Sequence, residues 1–252
     1  MTVGGEVTAG WEPVRDAFVA NFRERGEIGA GVVMLHRGQV VVDLYGGLAD
    51  PRSGRAWTGQ TPGVAFSATK GLVAACFLLL VDRGLLDLDA PASTWWPELA
   101  TKGKESVTPR MILLHRAGLS AVDLPLDLFD LRDHPERVHD ALVAQVPLWT
   151  PDTDQGYAAC SYGLYTAELF RRITGVSLGT FFAAEIAGPL GLDTTLGRPT
   201  ALPEPPARLI PTDLRTLVRH QLSSAIVRRN AEGQLFRRVI AGRRSTTGRA
   251  SR

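Results

Sequence analysis

A serine and a lysine three residues apart, Ser67 and Lys70, are the residues in this sequence whose types and spacing best suit nucleophilic chemistry. They stand in the run Phe-Ser-Ala-Thr-Lys-Gly, where an extended segment rich in Pro and Gly gives way to an apolar one. Positions i and i+3 share one face of a helix, so the Lys70 amine can reach the Ser67 hydroxyl. A serine nucleophile needs such a partner to take its proton. The alternative is that Ser67 only caps a helix and Lys70 is solvated.

The elements predicted around this pair are a helix that follows it and a hairpin that precedes it. The apolar run from Ser67 ends at Gly84, a residue suited to the end of a helix. Upstream, residues 11–26 have the period of an amphipathic helix. Two β-branched runs, 29–35 and 39–45, flank His-Arg-Gly and predict a β-hairpin. Further helical patterns occupy 108–114, 120–150, 157–174 and 177–186. This order predicts a mixed sheet-and-helix domain with a helical insertion.

Length and composition are typical of a soluble globular protein. The chain has 252 residues, 44% hydrophobic and 21% charged, and its longest apolar stretch, 72–81, is too short to cross a bilayer. The N-terminus has no basic region followed by an apolar run, so we expect no signal peptide, no membrane partner and a cytoplasmic location. Cys76 and Cys160 are expected to be small buried packing residues. No Cys or His cluster has metal-ligand spacing, so we expect neither a metal nor a cofactor.

Charge is distributed unevenly along the chain. The net charge is +2, but residues 213–252 contain ten Arg, no Lys and two acidic side chains, which gives this segment +8. Residues 1–212 carry 18 basic and 24 acidic side chains, or −6. Arg without Lys, among Ala, Gly, Ser and Thr, is typical of a shifted reading frame in a GC-rich gene, and we expect the shift between about residues 208 and 219. The alternative is a genuine basic tail that binds nucleic acid or anionic lipid. Nothing else in the sequence supports nucleic-acid recognition, so we expect no nucleic-acid partner.

Four separated segments resemble the serine β-lactamase and penicillin-binding-protein superfamily, in particular its class C-like esterase branch. They are a hairpin, the Ser-x-x-Lys helix with the Gly-Leu-Leu-Asp-Leu-Asp-Ala-Pro stretch after it, a Thr-led element that ends in His-Arg-Ala-Gly-Leu, and a Tyr-led helix. These segments occupy residues 31–50, 66–91, 107–119 and 156–175. Their order and spacing make the resemblance specific over about residues 14–200.

This resemblance implies an α/β (α+β) fold of the β-lactamase type, in which the hairpin begins an antiparallel sheet beside a helical subdomain. It implies a serine hydrolase in which Ser67 is acylated, Lys70 is its amine partner, and Tyr157 matches the Tyr of the family's Tyr-x-Asn motif. A phenol and a nearby ammonium can share a proton, so one of them can act as a base near neutral pH. The resemblance implies small esters or amides as substrates. The motif here is Tyr-Ala-Ala, and the missing Asn argues against β-lactam hydrolysis and favours simple esters.

Other polar residues in these segments are expected to be structural. His115 is more suited to a structural than a catalytic role, although Ser120 is near it in sequence. Tyr162 and Tyr165 are expected to be core residues of the helix that follows Tyr157.

The resemblance also implies a part of the fold that this sequence does not show. The family returns to its sheet after the helical section, and a later strand carries a Lys/His-Thr-Gly or Trp-Gly-Gly motif whose backbone N–H forms half of the oxyanion hole. Nothing after Pro211 resembles such strands, and Thr246-Thr247-Gly248 lies among arginines without an alternating apolar run. We therefore expect 1–212 to be a partial hydrolase domain and 213–252 to lie outside the family fold.

Loss of these strands would have two consequences. Removing an oxyanion-hole donor typically costs about 10²–10³ in rate, so we expect impaired activity; the alternatives are a catalytically dead remnant and a basic-tailed interaction protein. The hairpin would also lack partner strands, and four of its apolar residues would stay partly uncovered. These residues are Val33, Leu35, Val40 and Val42.

Overall fold

A computed structural model of the protein describes residues 2–123, 126, 128–197, 202 and 204–210. These residues form two compact units. The first unit comprises residues 2–66 together with 202 and 204–210, and the second comprises the described residues between 67 and 197. The Arg-rich segment 213–252 lies outside the described residues, as does all but 208–210 of the interval 208–219 in which the change of reading frame is predicted.

The first unit is built on an antiparallel sheet. Its strands are β1 (Val3–Val7), β2 (Gly29–His36), β3 (Gln39–Asp50) and β4 (Arg55–Ala56). β3 is central, because β1, β2 and β4 all pair with it. The turn between β2 and β3 consists of Arg37 and Gly38, with φ of 51° and 79°. Two positive φ values define the tight turn whose twist matches that of a hairpin. The predicted hairpin is confirmed, whereas β1 was not predicted from the sequence.

A helix covers part of this sheet. α1 (Glu12–Glu24) forms a small core with β3, in which Phe18 clusters with Val41, Val42 and Leu44. The prediction that the hairpin stays partly uncovered is confirmed for Val33, Leu35 and Val40, which are 57%, 66% and 55% exposed. It is wrong for Val42, which is fully buried. The reason is that Val42 belongs to the same cluster as Phe18, so α1 of the same unit covers its side chain.

The segment 204–210 is hydrogen-bonded within the first unit. Arg55 Nη2 donates to the carbonyl oxygens of Pro205 and Pro206 at 2.9 and 3.0 Å. The N–H of Arg208 donates to the carbonyl oxygen of Ala49 at 2.7 Å. The chain therefore returns to the sheet-bearing unit after the helical section.

The second unit is helical. Its α-helices are α2 (Thr69–Asp82), α3 (Pro109–Leu113), α4 (Leu128–Asp133), α5 (Pro135–Ala144), α6 (Ser161–Thr174), α7 (Leu178–Phe182) and α8 (Gly188–Leu190). A π-helical turn, Ala183–Ala187, joins the last two. The core of the unit contains Phe77, Trp96, Phe170 and Phe182, all fully buried. Burial of these large rings supplies the main stabilisation of the unit.

Local signals fix several helix ends as the sequence predicts. The Thr108 side chain accepts the N–H of Met111 at 3.2 Å and so caps α3, with Pro109 in the first helical position. Ser177 caps α7 in the same way, through the N–H of Thr180. Gly84, shortly after α2, has φ of 68°.

One predicted helix begins later than its sequence pattern indicates. The pattern predicts a helix over 157–174, but α6 begins at Ser161. The residues before it are held by bonds to other parts of the unit: the N–H of Ala158 donates to the His115 ring and the Ala159 carbonyl accepts from Lys70. Tyr157 therefore lies in an irregular segment ahead of the helix.

The two cysteines differ in burial. Cys76 is fully buried in α2, as predicted. The prediction is wrong for Cys160, which is exposed at the N-terminal boundary of α6. The sequence periodicity places Cys160 inside the helix, whereas the helix begins one residue after it.

In the described part of the chain, no single helix is both long enough and apolar enough to cross a membrane. Ser161–Thr174 and Leu178–Leu190 meet that criterion only when they are combined, and the chain bends by 70° between them.

Candidate active site

Ser67 lies immediately ahead of α2. It occupies a 3-10 turn, Phe66–Ala68, and Phe66 has φ of 45°, a conformation that few residues other than Gly adopt. The capping position of α2 is occupied by Ala68, whose side chain makes no capping bond. The hydroxyl of Ser67 instead contacts Tyr157 and Lys70. The alternative in which Ser67 serves only as the helix cap is therefore wrong.

Ser67, Lys70 and Tyr157 form a closed triangle of hydrogen bonds within the second unit. The Tyr157 hydroxyl donates to Ser67 Oγ at 2.5 Å. Lys70 Nζ donates to the Tyr157 oxygen at 3.1 Å and to Ser67 Oγ at 3.4 Å. A third bond runs from Lys70 Nζ to the carbonyl oxygen of Ala159 at 3.2 Å. Because an ammonium has three donors, these three acceptors fix its position.

Aromatic rings add to the contacts of the lysine. Lys70 Nζ lies 4.8 Å from the ring centre of Tyr157 and 5.5 Å from that of Tyr162, within the range of cation–π attraction. The hydroxyl of Tyr162 donates to the backbone carbonyl of Lys70 at 3.3 Å. These contacts tie α6 to the first turn of α2.

The electrostatics of the triangle favour ionisation of the phenol. The hydrogen bond with Ser67, followed by that from Lys70, lowers the pKa of Tyr157 below its usual value. In the neutral state Tyr157 donates to Ser67; in the phenolate state the same contact runs in the opposite direction, and Ser67 donates. A general base needs the second arrangement, in which the nucleophilic hydroxyl donates its proton toward the base.

The two tyrosines of α6 are core residues, as the sequence predicts. Tyr162 and Tyr165 are 3% and 1% exposed. Burial raises the pKa of Tyr162 to about 12 and that of Tyr165 further still. The Tyr165 hydroxyl donates to the carbonyl of Leu142 at 3.0 Å, so it is satisfied without a role in chemistry.

His115 packs beside the triangle and makes no hydrogen bond to Ser67. Its ring lies 5.0 Å from the ring of Tyr157 and 5.1 Å from that of Tyr162. Burial, and next the charge of Lys70, lower the pKa of His115. The Ser120 hydroxyl donates to the carbonyl of Gly156, which precedes Tyr157 in the chain. His115 and Ser120 therefore contact the segment around Tyr157 and help to hold it in place.

Sequence reasoning missed two parts of this site. The Ala159 carbonyl that accepts from Lys70 carries no signal, because every residue has a carbonyl group. The bond from Tyr162 to the Lys70 backbone was also missed, although a tyrosine five residues after Tyr157 was available as a signal. Among the described residues, no three His, Cys, Asp or Glu side chains are grouped so that they could hold a metal ion.

Comparison with known proteins identifies similar chains. The family described as Beta-lactamase matches residues 15–236. The Esterase/beta-lactamase LipL of Mycobacterium tuberculosis is 36% identical over 186 residues, which cover 73% of this chain and 43% of LipL. Esterase EstB of Burkholderia gladioli is 32% identical over 186 residues, which cover 68% of this chain and 47% of EstB. The chain spans about half the length of the curated relatives it matches.

Solved structures show the same relationship. A family VIII carboxylesterase is 37% identical, with a TM-score of 0.72 over 79% of this chain and 55% of the other. A penicillin-binding-protein homologue from Caulobacter crescentus is 35% identical, with a TM-score of 0.73 over 79% of this chain and 54% of the other. The mixed fold with an antiparallel sheet and a helical section is thus shared with these structures.

Proposed function

The chain belongs to the β-lactamase family, and from that premise we propose that it is a serine hydrolase that cleaves small esters or amides through an acyl-enzyme on Ser67. Lys70 and Tyr157 act as its proton-transfer pair. The observation that carries this proposal is the hydrogen-bond triangle, with 2.5 Å between the Tyr157 hydroxyl and Ser67 Oγ and with Lys70 Nζ bonded to both. The names of two relatives, an esterase/beta-lactamase and an esterase, support the reaction class.

The triangle supports the following order of bond changes. Ser67 Oγ forms a bond to the carbonyl carbon, and its proton passes to the phenolate of Tyr157, which the Lys70 ammonium stabilises. Tyr157 then gives that proton to the leaving alcohol oxygen as its bond to the carbonyl carbon breaks. In the second half the oxygen of a water molecule forms a bond to the acyl carbon and its proton passes to Tyr157. The bond between Ser67 Oγ and the acyl carbon then breaks, and Tyr157 returns that proton to Oγ.

Small esters are the favoured substrate class. The position that holds Asn in the family's Tyr-x-Asn motif is Ala159, which has no side-chain amide to bind a lactam amide. Its carbonyl is engaged by Lys70. An ester has a better leaving group than an amide and needs fewer such contacts, so we expect p-nitrophenyl esters to turn over faster than the β-lactam nitrocefin.

We also propose that the 252-residue chain is less active than its longer relatives. The family resemblance implies an oxyanion-hole donor on a later strand, and one such donor is worth about 10²–10³ in rate. The chain spans about half the length of those relatives, which supports the proposal. The downstream DNA should encode alternating strands and a Lys/His-Thr-Gly or Trp-Gly-Gly motif in another frame, and a chain restored to that frame should hydrolyse esters faster. Equal rates would contradict this proposal.

Covalent labelling tests the nucleophile directly. A fluorophosphonate probe loses fluoride to an activated serine, so the chain should be labelled once, and peptide mass spectrometry should locate the label on Ser67. Ser67→Ala should abolish both labelling and ester turnover. Ser106→Ala, which removes another exposed serine of the same unit, should leave both unchanged. Labelling that persists in Ser67→Ala would contradict the proposal that Ser67 is the nucleophile.

A further inference from the structure

His115 holds the residues on both sides of Tyr157. It lies in the turn after α3 with φ of 61°, a left-handed conformation that points its carbonyl and its side chain toward one segment. Its carbonyl oxygen accepts the N–H of Gly156 at 3.1 Å. Its ring Nδ1 accepts the N–H of Ala158 at 3.1 Å. One residue thus accepts the peptide N–H groups of the residues immediately before and immediately after Tyr157.

The ring of His115 also fixes the plane of the phenol. Its centre lies 5.0 Å from that of Tyr157, at an interplanar angle of 51°, and 5.1 Å from that of the buried Tyr162, at 37°. Such distances are those of favourable aromatic pairs. Because Tyr162 is itself bonded to the Lys70 backbone, the stack joins the phenol to a fixed part of the unit.

We propose that His115 is a positioning residue that uses Nδ1 as an acceptor to hold Tyr157 against Ser67 and Lys70. The proposal rests on the proposed function, since it concerns the same proton-transfer pair. A nitrogen that accepts a hydrogen bond carries no proton, so the ring proton resides on Nε2. Protonation of Nδ1 would turn the acceptor into a donor facing the N–H of Ala158 and would release the segment.

The surroundings of His115 oppose that protonation. The groups that face it are the Lys70 ammonium from α2, the phenol of Tyr157, and the phenol of Tyr162 from α6. None of these offers a carboxylate to stabilise an imidazolium, and the neighbouring Arg116 is paired with Asp152 at 2.5 Å. Burial and the charge of Lys70 both lower the pKa of His115 below 6.5. The acceptor form is therefore the one present at neutral pH, and it is lost only as the pH falls through this lowered pKa.

The first test needs no catalytic activity. In the full chain labelled with ¹⁵N-histidine, long-range proton–nitrogen spectra should show His115 with unprotonated Nδ1 and protonated Nε2 at pH 7.5, and the Ala158 amide should shift in step with the ring as the pH falls. Assignment uses the signals that disappear in His115→Asn. A protonated Nδ1, or a His115 ring that titrates above 6.5, would overturn the proposal whether or not the chain hydrolyses esters.

The second test compares two variants that both lack the ring and both tolerate a positive φ. His115→Asn keeps an oxygen near the position of Nδ1, whereas His115→Gly has no acceptor. The rate of fluorophosphonate labelling should stay within a few-fold of the wild-type rate in His115→Asn. In His115→Gly it should fall by about tenfold to a hundredfold. The wild-type rate should drop as the pH falls through the lowered pKa of His115, and His115→Asn should lack that step because it has no titrating ring.

The Tyr157 phenol provides a readout that is independent of labelling. Carbon-13 NMR of the tyrosine Cζ should show the pKa of Tyr157 close to wild type in His115→Asn and raised toward about 10 in His115→Gly. His134→Asn, at an exposed histidine of the same unit, should change neither readout. Equal behaviour of the Asn and Gly variants would overturn the proposal. If wild type is not labelled at all, the proposed function fails, and the phenol titration still decides the role of His115.

Discussion

At the residue scale, the central feature is that one ammonium holds two hydroxyl groups together. Lys70 donates to both Ser67 and Tyr157, and those two oxygens lie 2.5 Å apart. A short contact between two hydroxyl groups beside a cation allows the proton to move with little displacement of heavy atoms. Each member of the triangle therefore depends on the other two.

Removal of either proton-transfer residue should have a large and non-additive effect. We expect Lys70→Ala and Tyr157→Phe each to lower ester turnover by several orders of magnitude and the double variant to be little worse than either, because residues that act as one unit are not additive. Tyr162→Phe is the matched control, since in the described part of the chain its hydroxyl donates to the Lys70 backbone carbonyl and not to Ser67 or Tyr157. Additive losses in steady-state rates would show that the two residues act separately.

The pH dependence of acylation should report the phenol. The rate should rise as the pH increases, because the phenolate form of Tyr157 is the base, and the midpoint should lie below about 10, because the bonds with Ser67 and Lys70 lower the pKa of Tyr157. Lys70→Ala should move the midpoint upward, whereas Lys102→Ala, at an exposed lysine of the same unit, should not. A rate that falls with rising pH would contradict the assignment of the base.

At the element scale, α2 and α6 place the two halves of the triangle. The rings of Phe77 in α2 and Phe170 in α6 meet edge to face at 5.2 Å, and both are fully buried. The hydroxyl of Tyr162 adds a bond from α6 to the first turn of α2. Because Ser67 and Lys70 stand at one end of α2 and Tyr157 stands just ahead of α6, the packing of these helices sets the distance between the hydroxyl groups.

Truncation of the α2 core should destabilise the unit. Phe77→Ala should lower the free energy of unfolding by about 3–5 kcal/mol, because it removes a fully buried ring and leaves a cavity. Leu78→Ala, next to it on the same helix but 55% exposed, should change this free energy by no more than about 0.5 kcal/mol. Urea unfolding at constant m-value measures both. An equal loss of unfolding free energy in the two variants would mean that the face of α2 that carries Phe77 is not buried.

At the scale of the whole molecule, the chain has a helical unit with a large buried core and a sheet that is partly uncovered. In the described part of the chain β2 pairs only with β3, and Val33, Leu35 and Val40 of this hairpin are exposed. Open strand edges with exposed apolar side chains promote association. The family match ends at residue 236, inside the segment 213–252, so the boundary at residue 212 stays a prediction.

A charge on the open hairpin should reduce self-association. We expect Leu35→Lys to lower light scattering on mild heating and to raise the soluble yield, because a lysine on an edge strand blocks strand addition. Leu85→Lys, at a leucine of the helical unit that is 57% exposed and lies outside any strand, should have little effect. The same improvement from both variants would indicate a general effect of charge, and the edge would not be the cause.

Local chemistry determined what the sequence could predict. The Ser67–Lys70 pair lies within one helical turn, the Arg37-Gly38 turn fixes the β2–β3 hairpin, and Thr108 with Pro109 starts α3. These features depend on residues a few positions apart, so propensity and spacing reveal them. Tyr157 was found through its resemblance to a family motif, and the structure brings it to the pair; its catalytic role stays a prediction.

Only the tertiary structure decided the features that depend on distant residues. β1 has two glycines and little strand character, and it forms because β3 offers a partner edge. The late start of α6 depends on bonds from residues 158 and 159 to His115 and Lys70, and the burial of Val42 depends on α1. Hydrogen bonds and burial between segments far apart in sequence have no local pattern, and they alone bring the Tyr157 hydroxyl to Ser67.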